Sequence, residues 1–226
     1  MNDKSLKILV LCLLIFGLFL GAYEGVWRQG AKKVTSNELS LNRESNEVYL
    51  EIIWDASGSM WGRDYGIEKI IKSKEVLKTF AAEVDHDINL GLRIFGARRV
   101  GDLEDSFLAL PFNKNNTEAV INFIANVKPL GKSPIAYSLK KAVEDLTAVN
   151  GQKYIMLVSD GIDNGTIPPK EVVKELKDNN IMLHVVHIGE LENDKIKNKL
   201  KEMVSLTGGS YYTYHNHREV IPTFKQ

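Results

Sequence analysis

Asp55, Ser57 and Ser59 are the residues whose type and spacing point most directly to chemistry. They stand two apart in Asp55-Ala56-Ser57-Gly58-Ser59, directly after Val48 to Trp54, a stretch rich in β-branched and aromatic residues that reads as a buried strand. Near an extended backbone, alternate side chains point the same way, so one carboxylate and two hydroxyls can converge, and Gly58 lets the chain turn sharply after them. Three short oxygen ligands suit a hard cation. Magnesium takes near-octahedral oxygen coordination at about 2.0–2.1 Å and retains waters or an outside ligand. A site this poor in charge therefore keeps positions open, and an open position is where a partner's carboxylate binds. Asp, Ser and Gly are also the ordinary composition of a turn, so the remaining ligands must come from elsewhere in the chain.

Several elements are needed to bring them there. From Val48 onward the pattern alternates strand and helix. A helix over Gly66 to Val84, with Ile67, Ile70, Leu77, Phe80, Ala81 and Val84 on one stripe, leads to a strand over Ile88 to Phe95. Phe107 to Phe112 reads as an edge strand, because Pro111 cannot donate to a ladder. Helices follow over Thr117 to Val127, with Thr117 as cap, and over Pro134 to Leu146. Tyr154 to Val158 is an apolar strand running into Ser159-Asp160-Gly161. Pro168 and Pro169 open a helix to about Asp178, Ile181 to Ile188 is a strand, and Asp194 to Leu206 is a helix stopped by Gly208-Gly209. Tyr211 to Tyr214 is the last strand, before a short terminal helix. The expected fold is α/β: a doubly wound, mostly parallel sheet of about six strands with one antiparallel edge strand and helices on both faces. Ligands bind such sheets outside the carboxyl ends of the strands. Asp55 and Asp160 both fall at such ends.

Composition allows one buried domain with an extension: 226 residues, 44% hydrophobic and 26% charged. Lys plus Arg and Asp plus Glu both number 29, so no net field favours nucleic acid. The single cysteine, Cys12, lies in the apolar amino-terminal stretch, which rules out an intrachain disulfide and a thiolate zinc cluster. There, Lys4 and Lys7 precede sixteen uncharged, mostly aliphatic residues, Ile8 to Tyr23. Residues 1–27 are expected to be a membrane segment. A signal anchor that leaves the domain outside the cytoplasmic membrane is preferred over a cleaved signal peptide and secretion, since Leu20 is too bulky for cleavage after Ala22. Polar residues 28–47 read as a tether, and 48–226 as the folded domain.

Three segments together carry a family resemblance. Asp55-Ala56-Ser57-Gly58-Ser59-Met60-Trp61-Gly62, Gly131-Lys132-Ser133-Pro134 and Val158-Ser159-Asp160-Gly161 resemble, in order, the metal-site loops of the von Willebrand factor type A domain. The resemblance spans about Val48 to the carboxyl terminus. It implies a metal-ion-dependent adhesion site in which Ser57 and Ser59 bind the cation directly, Asp55 and Asp160 bind directly or through water, and Ser133 stands where the family usually has threonine. The implied cation is magnesium, with manganese or calcium as alternatives. Thr207-Gly208-Gly209 matches bacterial members, many of which carry cysteines in regions where this chain has Leu103 and Ile162-Asp163-Asn164. The implied function is a non-enzymatic module, membrane-tethered, that binds a protein partner's Asp or Glu carboxylate. Met60, Trp61, Arg98 and Arg99 are candidate partner contacts, although Met60 and Trp61 can equally pack beneath the loop.

Other signals are set aside. Gly131-Lys132-Ser133 lacks the first glycine and the preceding strand of a phosphate-binding loop, and Asp160 to Thr166 lacks the ligands of a calcium loop. His184 and His187 face opposite sides of a strand and cannot share a metal. His215 and His217 and the lysines from Lys195 to Lys201 read as surface. An accessory role in an ATPase or chaperone assembly remains an alternative. So does a hydrolase using Ser57 or Ser59, though Trp54 to Gly58 does not form a nucleophile elbow.

Overall fold

The computed structural model describes residues 46–189 and 194–224. The expected membrane segment, residues 1–27, and nearly all of the expected tether, residues 28–47, lie outside the described residues. One six-stranded sheet organises the rest, in the order β5-β4-β1-β6-β7-β8. Its strands are β1 (Val48–Asp55), β4 (Asn89–Phe95), β5 (Ser106–Asn113), β6 (Gln152–Ser159), β7 (Ile181–His187) and β8 (Tyr211–Thr213). All neighbours run parallel except β5, which pairs antiparallel with β4 at the edge and carries Pro111 where no ladder needs its missing N–H.

Strand β1 is the centre, paired with β4 on one side and β6 on the other. The chain winds first towards β4 and β5 and later returns to the far side of β1. Asp55 therefore ends the strand at the topological switch point, where connections leave in opposite directions and a crevice opens.

Alternation along β1 sends Leu50, Ile52 and Trp54 to one face and Ile53 to the other. The first face is covered by α1 (Lys69–Glu83), α2 (Thr117–Ala125) and the terminal 3₁₀ turns Tyr214–Phe224. The second is covered by α3 (Ile135–Thr147), α4 (Pro169–Asp178) and α5 (Asp194–Thr207). Trp54 is fully buried, and its indole N–H donates to Ser73 Oγ on α1 at 3.0 Å, so the apolar anchor under the first loop also satisfies its polar atom.

Two local expectations are corrected. The helix expected from Gly66 begins at Lys69, because Tyr65 (φ 49°) and Gly66 (φ 80°) make a left-handed turn between two short strands, β2 (Arg63–Asp64) and β3 (Ile67–Glu68). Ile67 consequently lies outside the helical stripe and is 45% exposed. Asp64, on that hairpin, turns inward to the buried ammonium of Lys72. Thr117 is the first helical residue of α2 and not its cap. Asn116 precedes it, and its side chain donates to the Leu90 and Pro111 carbonyls, fixing the helix entry to the sheet edge instead of to its own first turn.

Candidate metal centre

At the end of β1 the chain turns back on itself around one carboxylate. Asp55 Oδ1 accepts the Ser57 N–H at 2.9 Å and the Ser57 hydroxyl at 2.6 Å, while Oδ2 accepts the Ser159 hydroxyl at 2.6 Å. Ser57 Oγ and Ser59 Oγ stand 3.1 Å apart. The carboxylate and both hydroxyls thus converge as their two-residue spacing implies, on a tight 3₁₀ turn, Gly58–Trp61. Asp55 is completely buried. That burial first, and then the nearby Asp160 carboxylate, raise its pKa from 3.8 to about 7, and the hydroxyl bonds offset this only in part.

The second loop is fastened to the first by backbone. Gly58 N–H donates to Gly131 O at 2.9 Å, Leu130 N–H to Ala56 O at 3.1 Å, and Gly131 N–H to Gly96 O at 2.8 Å. Such close approach needs glycine at Gly96, which has φ 68° and where a Cβ would fall 2.5 Å from Lys132 O and 2.8 Å from Ser57 Cα. Ser133, two residues beyond Gly131, is carried into the crevice. Its peptide is locked by Asn164, whose N–H donates to Ser133 O at 2.8 Å.

The third loop leaves β6 at Ser159. Asp160 Oδ1 accepts the Ile162 N–H at 3.1 Å, and Oδ2 accepts from the Lys69 ammonium at 3.0 Å. His187 holds this loop from β7. Its Nε2 donates to the Asp160 carbonyl at 3.2 Å, so its Nδ1 accepts the Tyr211 hydroxyl at 2.7 Å. Burial lowers the His187 pKa, which favours the neutral ring that this role uses. Ser159, Lys69 and His187 were not assigned to the site from sequence. The pairing of Ser159 with His187 at the carboxyl ends of β6 and β7 places the histidine beside this loop, a juxtaposition that only the folded sheet reveals.

The donor set fits a hard divalent cation. Asp55, Ser57, Ser133 and Asp160 are all at least 97% buried, and Ser133 Oγ has no hydrogen-bond partner among the described residues. A lone buried hydroxyl costs about 1–3 kcal/mol. The cost calls for a partner that the described residues do not supply. Two carboxylates close enough to repel each other make the same demand, and the ligand atoms are all oxygens.

The four candidate partner contacts separate. Met60 is fully buried beneath the loop, so it packs and touches no partner surface, which corrects its inclusion. Trp61 is 48% exposed, its indole N–H donating to Pro129 O at 2.9 Å. Arg98 pairs with Asp105 and lies over the Phe107 ring at 3.7 Å, and Arg99 pairs with Asp102. His184 and His187 face opposite sides, as their spacing requires: His184 sits against Tyr154, Tyr212 and Phe224, and His187 against Tyr211.

Among solved structures, an aerotolerance-related membrane protein of Bacteroides fragilis carrying multiple mutations to serine superimposes with a TM-score of 0.62 at 17% identity, over 78% of this chain and 96% of that one. Manganese-loaded TRAP protein of Plasmodium vivax does so with 0.58 at 18% identity, over 80% and 72%. At these identities the likeness is one of fold. By sequence, the chain is 24% identical over 232 residues to YwmC of Bacillus subtilis strain 168, a protein described as uncharacterized, covering 99% of this chain and 96% of that one. The family model for the von Willebrand factor type A domain matches residues 50–225, every described element from β1 to the terminal turns, and the chain belongs to that family.

Proposed function

We propose that this chain is a divalent-metal-dependent protein-binding module. Asp55, Ser57, Ser59, Ser133 and Asp160 hold the cation, magnesium first and manganese or calcium as alternatives. When bound, the cation supplies an open coordination position for an Asp or Glu carboxylate of the partner. The chain's own residues fix that geometry. Ser159 and the Ser57 N–H orient Asp55, His187 orients the Asp160 loop, and Asn164 orients Ser133. The observation that carries the reading is the buried Ser133 hydroxyl, unpartnered among the described residues, on the loop whose Gly131 is fastened to the first loop. Membership of a family of generally non-enzymatic interaction modules supports it, as does the manganese of the Plasmodium neighbour.

Residues 1–27 tether the domain to the outer face of the cytoplasmic membrane in this reading, in keeping with the membrane-protein neighbour. Among the described residues no helix is long and apolar enough to cross a membrane. Nothing at the site favours the hydrolase alternative, because the Ser57 and Ser59 hydroxyls bond to Asp55 and to each other, and His187 is spent on the Asp160 carbonyl.

The test is affinity capture by the full chain from its own cell envelope, with magnesium or with chelator, beside Asp160→Ala. Loss of the same partner with chelator and in the variant is expected. Capture unchanged in both would defeat the mechanism.

A further inference from the structure

Beside the metal centre an apolar groove of about 490 Å³ opens between the 3₁₀ turn and the segment after α2. Trp61, Phe107, Phe123, Val127, Pro129 and Leu130 line it. It is physically continuous with the site. Trp61 follows Ser59 by two residues, a reach of at most about 7.6 Å. Its indole is pinned to Pro129 O, and Leu130 donates its N–H to Ala56 O inside the first loop. One wall of the groove is thus the backbone that carries Ser133 into the crevice. Trp61 and Leu130 are each nearly half exposed, at 48% and 46%, an expense of apolar surface that the core does not use.

The rim is basic. Lys128 borders the groove, as does Arg98, whose charge is met by Asp105. Lys74 donates to Ala125 O at the end of α2, and it lies near enough to Lys78 and Lys128 that their charges add to burial in lowering its pKa. An apolar slot with a cationic border, one residue pair away from a carboxylate-seeking centre, selects for a particular ligand chemistry.

We propose that this groove is a specificity site for an acidic peptide segment, taking a bulky aliphatic or aromatic side chain placed one or two residues from the carboxylate that enters the metal centre. The 3₁₀ turn keeps Trp61 within one turn of Ser59, so neighbouring side chains of one short peptide segment can reach both the metal centre and the groove. The basic rim then holds further acidic residues of the same segment. The proposal rests on the metal–carboxylate reading above and adds the partner's chemistry to it.

The test uses the full chain and two fluorescein-labelled capped peptides, Glu-Leu-Asp-Leu-Glu and Glu-Ser-Asp-Ser-Glu, in fluorescence polarisation with magnesium or with chelator. The leucine peptide is expected to bind at least tenfold more tightly than the serine peptide. Leu130→Ser, at an exposed position, should erase most of that preference while leaving the serine peptide unaffected. Lys128→Glu should weaken both peptides. Metal-dependent binding that is indifferent to leucine, or a leucine preference untouched by Leu130→Ser, overturns the groove and leaves the metal reading standing. A leucine preference that chelator does not weaken keeps the groove and overturns the metal reading. Failure of both peptides to bind the wild type overturns both.

Discussion

Two buried carboxylates stand four residues apart on β1 and are treated in opposite ways. Glu51, midway along the strand, faces Arg93 of β4, whose Nε donates to Glu51 Oε1 at 2.7 Å and whose guanidinium also grips Asp145 of α3. Arg93 is only 5% exposed, so this cluster contains its own permanent cation, held by a planar fork with nowhere else to go. Asp55, at the strand's end, has hydroxyls, one N–H and a second carboxylate around it. The Lys69 ammonium reaches Asp160, from a side chain that is 19% exposed. Burial raises both Glu51 and Asp55 to about 7, but Arg93 pulls Glu51 down while Asp160 pushes Asp55 up. The structural cluster carries its own cation, although Glu51 Oε2 has no hydrogen-bond partner among the described residues. A binding site leaves its charge to be balanced from outside.

That contrast can be broken at either end. Replacing Arg93 by Met leaves Glu51 buried without its partner, and a loss of about 3 kcal/mol is expected, a fall of roughly 10 °C in Tm, with metal binding unchanged. The loss should be greater at pH 8 than at pH 6, where Glu51 can take up a proton. An equal loss at both pH values would mean that Glu51 does not carry the cost.

Asp55→Asn should act with the opposite sign. Asp55 has a folded pKa above its ordinary one, so its contribution to stability is fully present below pH 3.8 and is lost as the pH rises through about 7. In chelator at pH 8 the asparagine variant is therefore expected to melt about 5 °C higher than the wild type, with the difference shrinking towards pH 5. Added magnesium should stabilise the wild type alone. A destabilised variant at pH 8 would place Asp55 with Glu51 as a structural charge.

A smaller effect sharpens the role of Lys69. Its ammonium, 3.0 Å from Asp160 Oδ2, competes electrostatically with any cation that Asp160 binds. Lys69→Met should tighten magnesium binding several-fold in a calorimetric titration. Weaker binding would instead make Lys69 a support of the loop.

The sheet and the first and third loops were legible because strands and turns leave local signatures: β-branched runs ending in Asp-x-Ser-Gly or Ser-Asp-Gly, and two prolines opening α4; the loop of Gly131 to Pro134 was legible only through the family resemblance. The convergence of Asp55, Ser57 and Ser59 was expected from two-residue spacing on an extended backbone, and Ser59 reaches it from a 3₁₀ turn instead. What failed was either a change of backbone within a continuing apolar period or a contact between distant segments. Ile67 kept the helical period, but Tyr65 and Gly66 take positive φ and turn the chain before the helix begins. Met60 offered the same side chain to a rim or a core, and only the packed fold sends it inward. Lys69 and Asp160 are 91 residues apart, and His187 acts through another residue's carbonyl, which no motif encodes.

The most direct test is calorimetric titration of magnesium and manganese into the chelator-treated full chain, wild type beside Asp160→Ala, with thermal shift in parallel. Binding of about one cation per chain by the wild type, with a rise in Tm and neither effect in the variant, is the predicted result. Equal heats in both proteins, or none in the wild type, would contradict a metal centre built on Asp55 and Asp160.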